Sequence, residues 1–196
     1  MWKRWLDIVG SLLFLLLTFP LWIVLALVVR CTSKGPIIYR SKRIGLSGKP
    51  FYMLKFRSMY IDADNRLSEL WAKNDLEGPI FKMRRDPRIT PVGRLLRKFS
   101  LDELPQFLNV LSGEMSLVGP RALHEYEVAK FDDYARERLS VKPGLTCYWQ
   151  VMGRNRLSFE EWMRLDHMYM QEVGLMTDIR ILFKTPKAVL TGDGAF

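Results

Sequence analysis

The sequence predicts an α+β chain, mainly helical, in which an N-terminal re-entrant membrane segment of helix-break-helix form precedes a compact domain with a small β-hairpin. Three observations predict it. No charged residue occurs from Ile8 to Val29, Pro20 interrupts that apolar run, and beyond Arg30 the apolar spacing switches between strand and helix periods. Residues 1–30 are assigned to the membrane segment and 31–196 to the domain.

The first segment is long enough to span hydrocarbon, which takes about 20 apolar residues in a helix. Its flanks argue against a simple crossing. Lys3 and Arg4 precede it and Arg30, Lys34, Arg40, Lys42 and Arg43 follow it, so both ends carry the positive bias of the cytoplasmic side. Pro20 lacks the N–H that would bond the Leu16 carbonyl and pushes Phe19 away from helical geometry. Thr18 and Ser11 offer hydroxyls to the freed backbone. Two arms of ten to fifteen residues would each reach roughly 15–22 Å, enough to enter one leaflet and return. A kinked crossing helix is the alternative. No small-residue cleavage site follows, which disfavours a signal peptide.

After Arg30, "PIIYRSKRIG", a turn "LSGKP" and "FYMLKFRSM" read as a β-hairpin. "DADNRLSELWAKN" reads as a short surface helix and "KMRRDPRI" as a loop. Thr90 and Pro91 open a helix as N-cap and first-turn proline, carrying Leu95, Leu96 and Phe99 inward. Leu104, Phe107, Leu108 and Leu111 fall at i, i+3, i+4, i+7, an amphipathic helix ending near Gly113. Pro105 sits either at the first helical position, with the acids in the preceding turn, or inside the first turns with Ser100 as cap. "EYEVAKFDDYARERL" reads as helical, "KPGLTCYWQVMGRNR" as extended with glycine turns, and "SFEEWMRLDHMYM" as a helix with a capping box. The last helix, "TDIRILFKTPKAVL", directs Ile179, Leu182 and Phe183 to the core or onto a lipid surface.

A chain of 196 residues suits one domain of ordinary size, and a formal charge of +9 points to anionic partners: nucleic acid, an acidic membrane surface or phosphorylated small molecules. Nucleic acid is disfavoured, because no helix-turn-helix, zinc or RNP signature is present. Cys31 and Cys147 show neither metal-binding spacing nor a disulfide framework. His124 and His167 stand too far apart for a zinc motif and read as structural or surface residues.

The stretch "FSLDELPQFLNVLSGEMSLVGPR" sets Asp102 and Glu103 side by side. Ser100 with Glu103 fits the S-x-x-E capping box. The same acids stand between the basic cluster of Arg94, Arg97 and Lys98 and the Arg121 that follows a Gly-Pro turn, an arrangement suited to chemistry on a phosphorylated substrate. Arg97, Arg121 and Arg154 are candidate phosphate ligands or solvated charges. Lys55 and Arg57 alternate along a strand and would face phosphate or lipid headgroups. Asp166 and Tyr169, about one helical turn apart, would line the site or a surface face.

Taken together, "KRWLDI", the proline-interrupted apolar helix, "KFRSM" at 55–59, "SLDELPQFLNVL" at 100–111, "MSLVGPR" at 115–121, "KPGLT" at 142–146 and "QVMGRN" at 150–155 resemble the bacterial sugar transferase family. These are small monotopic phosphoglycosyl transferases that start glycan assembly on a polyprenol-phosphate carrier. The resemblance implies transfer of a sugar phosphate from a UDP-sugar to polyprenol phosphate, with UMP released and a covalent phospho-aspartyl intermediate. It implies Asp102 as nucleophile, Glu103 as orienter, metal ligand or proton carrier, and Mg²⁺ as cofactor with Asp102 as its protein ligand. Anionic membrane lipids are implied partners, homo-oligomers are compatible with it, and the implied location is the cytoplasmic face of the bacterial inner membrane. Glucose or galactose is the expected sugar. The chain departs from the family pattern at Phe19, where Ser commonly precedes the proline, and at Ala122, where a second proline usually follows "GPR". The departures bear on the bend and on the stiffness of the Arg121 loop. A non-catalytic membrane scaffold and a membrane-tethered nucleic-acid-binding protein are the competing classes.

Overall fold

The computed structural model describes residues 1–75, 79–81 and 83–192. Helix α1 spans Trp2–Thr32, and strands β1 (Ile38–Ile44) and β2 (Pro50–Phe56) form an antiparallel hairpin. Helices α2 (Leu67–Leu70), α3 (Pro91–Lys98) and α4 (Gln106–Ser112) lead to strand β3 (Ser116–Val118). Then come α5 (Glu125–Val128), α6 (Asp133–Arg136), strand β4 (Gly144–Thr146), α7 (Tyr148–Met152), α8 (Phe159–Gln171) and α9 (Leu175–Thr191). The fold is α+β and mainly helical, as the sequence predicts.

Pro20 lies inside α1, which stays helical from Trp2 to Thr32 with no non-helical residue separating two arms. The predicted break is therefore a proline within one helix. Thr18 Oγ1 donates to Phe14 O at 2.7 Å rather than to Leu16, and Ser11 Oγ has no protein partner among the described residues. One side of α1 is bare apolar surface, with Leu16 75%, Leu17 79% and Phe19 62% exposed.

Both ends of this helix are pinned to the same domain. Near the start, Lys3 Nζ donates to Asp178 Oδ2 (2.5 Å), the Tyr169 hydroxyl (2.9 Å) and Val118 O (3.0 Å). Arg4 donates to Val110 O and Leu111 O, each at 2.6 Å, satisfying carbonyls at the end of α4. Asp7 Oδ1 accepts from Ser116 Oγ (2.9 Å) and Leu117 N (2.8 Å). At the other end, Arg57 donates to Pro36 O, to Ser33 O (2.6 Å) and to Ser33 Oγ (2.8 Å). Between the pins, Phe14 stacks on Phe107 of α4 at 4.2 Å and Trp22 meets Phe56 of β2 edge-on at 5.5 Å. Helix α1 thus forms one wall of the main core, with Leu25 and Val29 buried beside Met53, Phe56, Val110 and Met115.

The two glycine motifs explain each other. β3 and β4 pair in parallel, Ser116 with Gly144 and Val118 with Thr146. A Cβ built on Gly144 would lie 2.0 Å from the Gly119 nitrogen. Only glycine lets the "GPR" and "KPG" backbones approach this closely.

Several elements differ from their sequence reading. Ser100 adopts a left-handed conformation (φ 53°) and makes no side-chain cap, so the capping box is absent. The acids lie in a short 3₁₀ turn, Leu101–Glu103, before the helix as the first of the two boundaries has them, but Pro105 is the N-cap of α4 rather than its first residue. Leu95 is 57% and Phe183 82% exposed, leaving Leu96 and Ile181 as the buried apolar side chains of their helices. The "EYEVAKFDDYARERL" segment breaks into α5, α6 and a 3₁₀ turn, and "YWQVM" is helical rather than extended. Thr90 caps α3 by accepting from Gly93 N at 2.9 Å, and Ser158 with Glu161 forms a true capping box on α8.

Candidate active site

Asp102 and Glu103 are both buried, 5% and 9% exposed, but they are held very differently. Glu103 Oε1 accepts from Arg121 Nη2 at 2.5 Å and from Lys55 Nζ at 2.9 Å, and Oε2 accepts from Arg121 Nη1 at 3.4 Å. Asp102 has neither a hydrogen bond nor an ion pair among the described residues. The order of the chain produces this contrast. The left-handed Ser100 turns the backbone sharply after α3, and the following 3₁₀ turn points Glu103 at β2 and the Arg121 loop.

Electrostatics separate the two carboxylates further. Burial raises the Glu103 pKa, but Arg121 and Lys55 outweigh it and hold the group well below the usual carboxylate range. Burial also raises Asp102; Lys55, Arg97 and Arg121 oppose this while the Glu103 charge adds to it, and the net shift is upward. One acid is thus a fixed anion, and its neighbour is a desolvated carboxylate kept ionisable by surrounding cations. Burial lowers the Lys55 pKa, with Glu103 opposing. Burial pulls Arg121 down too, but Glu103 more than offsets it and its pKa is raised.

Lys55 comes from β2 and Arg121 from the loop after β3. Two contacts brace the loop that carries Arg121: Arg138 Nη2 donates to Arg121 O at 2.8 Å, and the Arg121 guanidinium lies over the Trp149 ring, 5.8 Å from its centroid. Trp149 in turn stacks on Trp162 at 4.5 Å. Asn109 sets the strand against the helix that follows the acids, since its Oδ1 accepts from Leu54 N (2.9 Å) and its Nδ2 donates to Tyr52 O (2.8 Å).

Of the residues the sequence singled out, Lys55, Arg97, Asp102, Glu103 and Arg121 converge, Arg97 through its charge on Asp102. The others do not. Arg57 caps the end of α1 because β2 stops at Phe56 and the chain turns toward the helix. Asp166 is paired with Arg138 at 2.8 Å, both side chains 2% exposed, behind the Arg121 loop. Tyr169 donates to Val118 O (3.0 Å) and Asp178 Oδ1 (2.9 Å) and belongs to the Lys3 anchor. Arg154 is buried in its own turn, with Nε donating to Gln150 O at 3.4 Å.

Arg43 is a cation that the sequence reading passed over. It shares the inner face of the hairpin with Lys55, since Arg43 pairs with Phe51 and Tyr39 with Lys55. Burial lowers its pKa to about 10, with Glu127 opposing, and its charge is felt by Lys55 and Arg121. Period-two reading of "YRSKR" from Lys55 across the hairpin would have found it.

The paired buried acids thus lie among Lys55, Arg121, Arg43 and Arg97, a cationic setting that attracts anions. The family model for bacterial sugar transferases matches residues 1–192, and the chain belongs to that family. It is 45% identical over 99% of its length to the undecaprenyl-phosphate galactose phosphotransferase of Salmonella typhimurium, covering 41% of that protein. It is 44% identical over 98% of its length to the galactosyl transferase CpsE of Streptococcus agalactiae, covering 43% of it. The exopolysaccharide production protein ExoY of Sinorhizobium fredii is 40% identical over 99% of this chain and 88% of its own length. The chain therefore spans about two fifths of some curated relatives and nearly the whole of others.

Proposed function

We propose that this protein transfers a hexose 1-phosphate from a UDP-sugar to undecaprenyl phosphate, with Asp102 as a covalent nucleophile. The observation that carries the reading is the unpaired Asp102 carboxylate beside a Glu103 already committed to Arg121 and Lys55. In the first step an Asp102 oxygen forms a bond to the sugar-bearing phosphorus, and the bond from that phosphorus to the bridging oxygen breaks, so UMP leaves with the electron pair. In the second, an oxygen of the undecaprenyl phosphate dianion attacks the same phosphorus and the aspartyl carboxylate departs. Charge balances in both steps without a proton carrier, which leaves Glu103 as an orienter of Lys55 and Arg121.

Bringing a carboxylate to a diphosphate costs on the order of 4 kcal/mol per unit charge pair at 4 Å with an effective dielectric near 20. Lys55, Arg121, Arg43 and Arg97 offset this repulsion. Among the described residues no group of three His, Cys, Asp or Glu side chains gathers. Mg²⁺ nonetheless suits the site, because it is commonly held by one carboxylate plus substrate phosphates, and Asp102 is the carboxylate without a partner. Bound there, it would supply further neutralisation of the diphosphate.

The membrane reading rests on α1. A helix of 31 residues whose two ends are both pinned to one domain, with bare leucines between them, fits a segment that enters one leaflet and leaves on the same side. Phe14 on Phe107 and Trp22 on Phe56 then set the depth of α4 and β2, and so of Asp102 and Lys55, near the headgroup of the lipid acceptor. We take the location to be the cytoplasmic face of the bacterial inner membrane, a reading supported by the exposed Arg30, Lys34 and Arg40 that follow the helix. Relatives named for galactose transfer favour a hexose donor. Purified protein given magnesium, undecaprenyl phosphate and UDP-galactose or UDP-glucose should release UMP, and Asp102→Asn should abolish that release. Retained turnover in the variant would refute the assignment.

A further inference from the structure

Gln106 is 1% exposed, and its Nε2 is enclosed without a hydrogen-bond partner. No group among the described residues bonds either end of its carboxamide. Buried amides are rarely left unpaired, because the lost hydration is costly, and such an orphan marks a site whose partner is absent from the protein. Its position identifies the partner. Leu104 and Pro105, both with right-handed helical backbone, join the 3₁₀ turn of Asp102 to α4, so Gln106 follows Asp102 by about one turn. Asn109, further along α4, is already bonded to β2 at Tyr52 O and Leu54 N. The orphan amide therefore sits about one turn from the unpaired Asp102, at the start of the helix that Asn109 ties to the strand carrying Lys55.

We propose that Gln106 is a further catalytic residue, its carboxamide donating a hydrogen bond to a non-bridging oxygen of the phosphoryl group as that group passes onto and off Asp102. A half-turn of the terminal torsion exchanges nitrogen and oxygen easily, since neither end has a protein partner to lose and this torsion is two-fold and broad. The donor adds to the cations of the rim a neutral, directional contact at the point where phosphoryl charge spreads. This inference rests on the reading of Asp102 as nucleophile.

The test compares the full-length parent, Gln106→Met, Gln106→Leu and Asp102→Asn in detergent micelles, with UDP-galactose or UDP-glucose and undecaprenyl phosphate. For the Met and Leu variants kcat should fall about 10²- to 10³-fold, the loss typical of an oxyanion-hole donor, with little change in KM for the donor. Their melting temperatures should equal or exceed the parent's, because an unpaired amide has been replaced by an apolar side chain of similar size. Turnover within about tenfold of the parent would overturn the proposal. Loss of folding or a lowered melting temperature in both variants would overturn it as well, since it would assign the amide a structural load. If the parent itself releases no UMP, or Asp102→Asn still does, the underlying nucleophile reading fails instead.

Discussion

Replacing Arg121 with Met removes the guanidinium but keeps an unbranched chain over the Trp149 ring. Glu103 Oε1 then loses its 2.5 Å contact and retains Lys55 at 2.9 Å. Stripping a buried ion of its only partner typically costs about 3–5 kcal/mol. Here one cation remains and the Arg121 side chain is 25% exposed, so the expected loss of unfolding free energy is smaller, about 1–3 kcal/mol. In a Glu103→Gln background there is no buried anion to orphan, and the same replacement should cost less, giving a coupling energy of about 1–2 kcal/mol in a double-mutant cycle. Equilibrium denaturation in detergent micelles, followed by tryptophan fluorescence, reads all four corners of the cycle. Strict additivity would show that Arg121 does not hold Glu103, and the division of labour between the two acids would fall with it.

Three further outcomes are expected. The acid limb of kcat/KM should lie above the ordinary Asp value near 3.9, because burial and the Glu103 charge raise the Asp102 pKa. Activity should be lost as pH falls through that raised value, and Glu103→Gln should move the limb to lower pH; a limb that stays put or rises would show that Glu103 is not felt by the nucleophile. Ser100→Ala should cost under about 0.5 kcal/mol, against about 1 for a true N-cap, since Ser100 makes no capping bond; a loss of full cap size in thermal or chemical unfolding would restore the capping box. In sealed vesicles, the exposed native Cys31 and a cysteine introduced by Trp2→Cys should be labelled from the same side by a membrane-impermeant maleimide, with buried Cys147 silent. Labelling from opposite sides would establish a crossing helix.

The hairpin, the α3 cap and the acid pair were legible because each rests on a local rule: alternation, a Thr-Pro start, adjacent carboxylates within a basic stretch. The residues that lie away from the acid pair share a different cause. Arg57, Asp166 and Tyr169 are polar residues near recognisable motifs, and spacing alone cannot say that Ser33, Arg138 and Asp178 wait for them across the fold. Lys3 and Arg4 show the same limit from the other side. They read as topology signals of the cytoplasmic side, yet their donors are spent on Asp178, Val118, Val110 and Leu111. A charge pattern reports the sign of a segment but not its partners. The orphaned amide of Gln106 was equally hidden, because "DELPQ" reads as the start of a helix and only the packed structure reveals a buried amide with no partner.

The most direct measurement is intact-protein mass spectrometry after incubation with UDP-galactose or UDP-glucose and magnesium, without lipid acceptor. The account predicts an added hexose phosphate located on Asp102, formed with stoichiometric UMP, lost when undecaprenyl phosphate is supplied, and absent from Asp102→Asn. Full turnover with no adduct at any time, and with direct transfer from donor to lipid, would contradict it.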